Sequence, residues 1–122
     1  MMPSSELDVE QKEIASGILK LDKWYEYPPT KNPVDPQIVC DLLDSLKPYH
    51  IDQDPAKWVS LGILEFELRN GKKYAISLYD PGSGQAAFSI DRTYYRGGSN
   101  RKLTAIVDSI RKSGNGQKWI EE

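Results

Sequence analysis

The chain contains one histidine, His50, and one cysteine, Cys40. A thiol becomes a strong nucleophile when a base lies within hydrogen-bond reach, so these two residues are the first candidates for covalent chemistry. Cys40 borders an apolar helical stripe and His50 follows Pro48 in what reads as a loop. That placement favours a half-buried thiol and a surface imidazole over a working pair. No HxH, HExxH, CxxC or GxSxG pattern is present, so neither a histidine-based metal site nor a serine nucleophile is encoded locally. Paired carboxylates remain. Asp41 and Asp44 fall at i, i+3 on one side of a helix, and Asp52 and Asp54 flank a second helix start. Such pairs can hold a metal or move protons. Neither has calcium-loop spacing, and helix capping accounts for Asp35 and Asp54. The chain therefore reads as non-enzymatic, with no cofactor and no metal. An enzyme using Cys40 or a carboxylate pair is the weakest of three readings.

The densest chemistry lies in Ser89–Ser99, SIDRTYYRGGS. Arg92, Tyr94, Tyr95, Arg96, Gly98, Ser99 and Arg101 are the candidate partner- or ligand-binding residues. Tyrosine and arginine carry much of the energy of protein interfaces. Free amides at a helix start attract anions, and Gly97-Gly98-Ser99 leading into Arg101-Lys102 has that form. It lacks the Walker lysine–serine pair and the GxGxxG spacing. Stacking of nucleic-acid bases on Tyr94 and Tyr95 is a further option. The complete aromatic–basic pattern of RNA-binding strands is missing, and a pI near 5.5 disfavours it. Trp24, Trp58 and Tyr79 add aromatic surface beyond what a small core must bury.

Bulk properties set the frame for these residues. The 122-residue chain suits one domain with a single core. The net charge is −2. Residues 1–91 carry nine basic and fifteen acidic side chains, whereas residues 92–118 carry seven basic ones against Asp108 alone. A dipolar molecule would result unless the two halves interleave. One cysteine excludes an intrachain disulfide. No apolar run reaches the ~20 residues of a membrane span, and the first residues show no basic or apolar leader. A cytoplasmic location is expected from these features.

The positioning elements follow from periodicity. Residues 1–13 read as flexible or as a short helix capped by Ser5, and 14–122 as one domain. Residues 18–27 read as a strand, with Leu19, Leu21, Tyr25 and Tyr27 on one face, ended by Pro28-Pro29; a loop runs on to Pro33. Asp35-Pro36 starts a helix whose stripe is Ile38, Val39, Leu42, Leu43 and Leu46. Asp54-Pro55 repeats the start signal. Leu64, Phe66 and Leu68, then Tyr74, Ile76 and Leu78, alternate as a hairpin. A three-residue loop at Arg69-Asn70-Gly71 pairs Phe66 with Tyr74 and Leu64 with Ile76, bringing the apolar faces together. A two-residue turn would set apolar residues against charged ones.

Ala86, Phe88 and Ile90 form a further strand. A turn at Asp91-Arg92 leads into Tyr94–Arg96, where alternation sends only one tyrosine inward. Ser99 caps a last helix with Leu103, Ile106, Val107 and Ile110 on one side, ended by Gly114. Trp119-Ile120 is expected to dock on the body. The fold class is α+β: two layers, a mostly antiparallel sheet of four to five strands, and two amphipathic helices on one face. The opposite face carries Glu65, Glu67, Lys73, Ala75, Ser77 and Tyr79, suited to solvent or a partner. The function expected is a protein- or small-ligand-binding module. The alternative is anion or nucleic-acid binding through basic residues 92–112.

Overall fold

The computed structural model describes residues 7–52, 58–114 and 116–118. Strand β1 (Ile14–Leu21) pairs with β2 (Thr30–Val34), helix α1 (Pro36–Ser45) follows, and β3 (Tyr49–Ile51) comes next. Then β4 (Val59–Leu68), β5 (Lys73–Asp80), β6 (Ala86–Ile90) and β7 (Thr93–Gly97) run as successive antiparallel neighbours. Helix α2 (Asn100–Ser113) leads to the two-residue strand β8 (Gln117–Lys118). The strands lie in the order β3-β7-β6-β5-β4-β1-β2-β8.

The α+β class, the antiparallel sheet and two helices are thus as expected, but the sheet is larger. Among the described residues it holds seven strands and a two-residue eighth, and it is open. Two of the extra strands lie where prolines masked them. Pro33 sits within β2 opposite Ile18. Among the described residues β8 pairs with Thr30 and Lys31, so Pro33 lies on an edge stretch of β2, a position where proline is tolerated. β3 has three residues directly after Pro48, and His50 is in this strand rather than in a loop. The first strand is also displaced. It begins at Ile14 and ends at Leu21, and Trp24–Tyr27 forms a tight turn closed by reciprocal backbone bonds of 3.0 and 2.8 Å. Tyr25 therefore faces solvent, not the core, with 79% of its surface exposed.

Both helices cross the same face. α1 carries the chain from the β2 edge to the β3 edge, and α2 returns it from β7 to β8. Asp35 accepts from the Ile38 amide at 3.0 Å, and Ser99 accepts from the Lys102 amide at 3.2 Å, so both sequence-read caps form. Such caps are worth about 1 kcal/mol each. Between helices and sheet lie Leu19, Leu21, Val39, Leu42, Leu43, Leu46, Leu64, Ile76, Leu78, Phe88, Leu103 and Val107, all buried. Leu7 is fully buried too, and Lys47 Nζ donates to the Leu7 carbonyl at 3.0 Å. Cys40 Sγ of α1 also reaches the Val9 carbonyl, so this segment ahead of β1 is tied to the helix; it includes the 3-10 turn Gln11–Glu13. Ser5, Asp54-Pro55 and Trp119-Ile120 lie outside the described residues.

The β4–β5 hairpin has the register expected from its apolar faces. Phe66 lies opposite Tyr74, Leu64 opposite Ile76 and Glu67 opposite Lys73. Gly71 takes φ +91°, the left-handed position that a type I turn plus bulge requires. That register matters for function, because it fixes which side chains leave the sheet on the helix-free side.

Candidate functional site on the helix-free face

With Leu64, Ile76, Phe88 and Tyr95 directed at the helices, alternation sends Tyr79, Ala87, Ser89, Tyr94, Arg96 and His50 to the opposite face. The pairings Tyr79–Ala87, Ala87–Arg96, Ser89–Tyr94 and His50–Arg96 place them in adjoining rows. Trp58, just ahead of β4, closes over this area. Its ring centroid lies 5.6 Å from that of Tyr79 and 5.8 Å from that of Tyr94. The Arg96 guanidinium carbon stands 5.4 Å from the Trp58 ring centroid. Such a cation–aromatic contact is worth roughly 0.5–2 kcal/mol, depending on how dry it is. Beneath this cover Ala87 is fully buried and Ser89 is 8% exposed, although both point away from the helices. The small side chains leave room for the indole.

Polar contacts fix the arginine. Arg96 Nε donates to Asp52 Oδ2 at 2.8 Å, and Nη1 donates to Ser83 Oγ at 3.0 Å. The Asp52 amide donates to the Tyr94 carbonyl at 2.9 Å, extending β3 alongside β7. The Tyr79 hydroxyl and Ser89 Oγ are 3.1 Å apart. A planar cation is therefore held by a carboxylate, a hydroxyl and an aromatic face. Arginine pre-organised in this way loses little freedom on meeting a partner.

β5 links the cluster to a shallow groove of about 740 Å³ lined in part by Ser16, Ile18, Glu65, Glu67, Lys73 and Ala75. Ile18 is 37% exposed there. Lys20 Nζ meets Glu65 Oε2 at 3.2 Å across the β1–β4 pair. No protein-family profile, curated protein or solved structure matches this chain. The site must therefore be read from its own geometry.

The candidate residues from the sequence separate into four places. Tyr94 and Arg96 belong to the helix-free face. Tyr95 is a core residue, stacked on Phe88 at 5.2 Å and edge-on to Tyr49 at 5.2 Å. Arg92 sits at the exposed tip of the β6–β7 hairpin. Gly98, Ser99 and Arg101 are at the start of α2, on the helix side. The amides there already have acceptors: Gly98 N donates to the Pro48 carbonyl at 3.0 Å, Ser99 N to the Ser45 carbonyl at 2.8 Å, and Asn100 N to the Gly84 carbonyl at 2.9 Å. A Cβ on Gly98 would collide with the Ser45 carbonyl, and its φ is +58°. The diglycine accordingly serves close packing of β7 against the end of α1.

Trp58, Asp52, Tyr79, Ser83 and Ser89 complete the cluster. Strand parity brings out Tyr79 and Ser89 once the hairpin registers are known. Trp58 meets Arg96 across 38 positions of the chain, and no local pattern signals that contact.

The catalytic candidates are held apart. His50 is on the helix-free face opposite Arg96, and Cys40 is on α1. Cys40 Sγ lies 3.7 Å from the Val9 carbonyl. Burial pushes its thiol pKa up, the Asp44 and Asp41 carboxylates add to that, and Lys47 opposes them. Asp44 meets Lys47 Nζ at 3.4 Å, and Asp41 accepts from Gln37 at 2.9 Å. Among the described residues no group of three His, Cys, Asp or Glu side chains could hold a metal ion, and no helix is long and apolar enough to cross a membrane.

Proposed function

We propose that this chain is a non-catalytic binding module that takes a folded protein partner on the helix-free face of its sheet. The observation that carries this reading is the cluster in which Trp58 lies against Tyr79, Tyr94 and the guanidinium of Arg96. Trp, Tyr and Arg held in one rigid patch are the composition of an interface hot spot. The neighbouring groove, with half-exposed Ile18 and flanking charges of both signs, extends the patch along the sheet. Charges of mixed sign that are already paired within the face, Lys20 with Glu65 and Arg96 with Asp52, favour a protein surface over a polyanion.

The test is site-specific photo-crosslinking in the native cell. A photoreactive residue at position 75, in the groove, is expected to trap one discrete partner, and Arg96→Ala should abolish the product. The same residue at position 101, on the helix side, should trap none. Equal labelling from both positions, or a product indifferent to Arg96→Ala, would sink the reading.

A further inference from the structure

The β6–β7 hairpin stops short of the strand beside it. β6 ends at Ile90, and the chain turns back through Asp91 and Arg92, both at positive φ. β5 begins well before that point, at Lys73. Its pairing with β6 covers Ser77, Leu78 and Tyr79. Among the described residues no strand flanks Lys73, Tyr74 and Ala75 on that side. The sheet therefore has a step in its middle. The groove of about 740 Å³ lies along this step, lined in part by Lys72, Lys73, Ala75, Ile90 and Asp91.

The hairpin turn fixes which backbone groups the step leaves open. The Leu68 amide donates to the Lys72 carbonyl at 2.8 Å, so Lys72 turns its ladder groups towards β4. In an antiparallel pair that direction alternates along the strand. Tyr74 and Ile76 therefore bond to β4, opposite Phe66 and Leu64. Lys73, Ala75, Ser77 and Tyr79 turn the other way. Ser77 and Tyr79 meet Ser89 and Ala87 there. Lys73 and Ala75, both exposed, present their N–H and C=O groups to the groove instead. An open ladder of this kind accepts an extended segment by strand addition.

We propose that Lys73–Ala75 is a strand-addition site for an extended segment of the partner, running antiparallel to β5 and carrying an apolar residue followed by an acidic one. The inference rests on the reading of this face as a binding surface and specifies how the partner engages it. Charge selects the segment. Lys72, Lys73 and Arg92 are exposed around the step, against Asp91 at the turn. Lys73 has Glu67 across the β4–β5 pair on one side and the open groove on the other. An added residue opposite Lys73 projects to the helix-free face beside the ammonium, where cross-strand pairing favours a carboxylate. The residue before it lies opposite Tyr74 and projects to the helix side. There Tyr74 is stacked on Phe66 at 5.0 Å, and Tyr74 and Ile90 are half-buried on the margin of the core. An apolar side chain between them would complete that margin. Lysines also guard an edge against indiscriminate pairing, so the same charges that admit an acidic strand turn a basic one away.

The probe is the peptide acetyl-Thr-Val-Glu-Thr-amide, titrated into the isotope-labelled full chain. It should shift the Lys73 and Ala75 amide resonances saturably and leave that of Arg101 unmoved. Replacing its glutamate by lysine should weaken binding about fivefold, and Lys73→Glu should reverse that preference. The amide of the peptide's glutamate points at β5, so N-methylation there should weaken binding about tenfold, the equivalent of one hydrogen bond lost and its acceptor left unpaired. The valine amide points away from β5, and its N-methylation should leave binding unchanged. Equal losses from both methylations, or shifts centred away from Lys73 and Ala75, would overturn the proposal. A partner trapped from position 75 while the peptide gives no saturable shift would overturn strand addition and leave the binding face standing. Peptide binding in this pattern with no trapped partner would support the site and overturn the reading of the whole face.

Discussion

Cys40 shows how far one residue can be read from its neighbours. Its position beside the stripe of α1 implied partial burial, and Asp41 and Asp44 lie within one turn of it. The structure adds the Val9 carbonyl and the sign of the perturbation: burial first, then the two carboxylates, raises the thiol pKa above its ordinary 9.0. The thiolate is the reactive form, so alkylation by iodoacetamide at neutral pH should be slower than for a free model thiol. The rate should climb only as pH passes above the ordinary thiol range. The stability consequence has a definite sign. A folded pKa raised above the unfolded one contributes stability that is complete below the unfolded value and is lost as pH rises through the folded one. Cys40→Ser should therefore flatten the alkaline limb of a stability-versus-pH curve. Thiolate reactivity equal to that of the model thiol at neutral pH would contradict this account. Arg111 marks the limit of such local reading. Its sequence neighbours predict a solvated basic residue in a last helical turn. Only the approach of Trp24 and β2, far away in the chain, makes it a buried cation with an unpartnered edge.

Elements were legible where local chemistry and apolar period agree. The caps of α1 and α2, the β4–β5 register and the single inward tyrosine of β7 are of this kind. β2 and β3 were not, since prolines at 28, 29, 33 and 48 speak against strands, and pairing at the sheet edges outweighs them. The β6–β7 hairpin falls between the two. Its turn was read at Asp91-Arg92, and Ile90 does pair with Thr93 around it. Both turn residues take positive φ, +49° and +70°. A two-residue turn with that geometry favours Asn-Gly or Asp-Gly, because its twist matches the strands. Arginine has no such freedom, and a left-handed residue with a Cβ costs about 1–2 kcal/mol. Arg92→Gly should raise the unfolding free energy by about 1 kcal/mol, less than the full strain because glycine also loosens the unfolded chain. Chemical denaturation measures this directly. A destabilised variant would mean that the Arg92 side chain makes contacts outweighing the strain.

At the scale of the molecule, the long-range layout decides what the surface can do. Each helix crosses the sheet from one edge towards the other, so a single core runs beneath both, from Leu19 and Leu21 on β1 to Tyr49 on β3. The four arginines of the last third do not converge. Arg96 goes to the helix-free face, Arg92 to a hairpin tip, Arg101 to the start of α2 and Arg111 against the Trp24 ring. No sequence window could show this, because the dispersal follows from chain crossings rather than spacing. The edges are protected by brevity. Among the described residues β3 has three residues and β8 two, which limits the open backbone they offer to another chain. Stability should then be graded across the sheet, since local opening is easiest where few contacts must break. In native-state hydrogen exchange, the amides of β1, β4 and β5 should be the slowest, opening only with global unfolding. Those of β3 and β8 should exchange by local opening, with little denaturant dependence. A partner on the helix-free face should slow exchange in β5–β7 and leave the last turn of α2 unchanged. Protection that spreads uniformly to α2 on that addition would mean that the partner's footprint is not confined to the helix-free face.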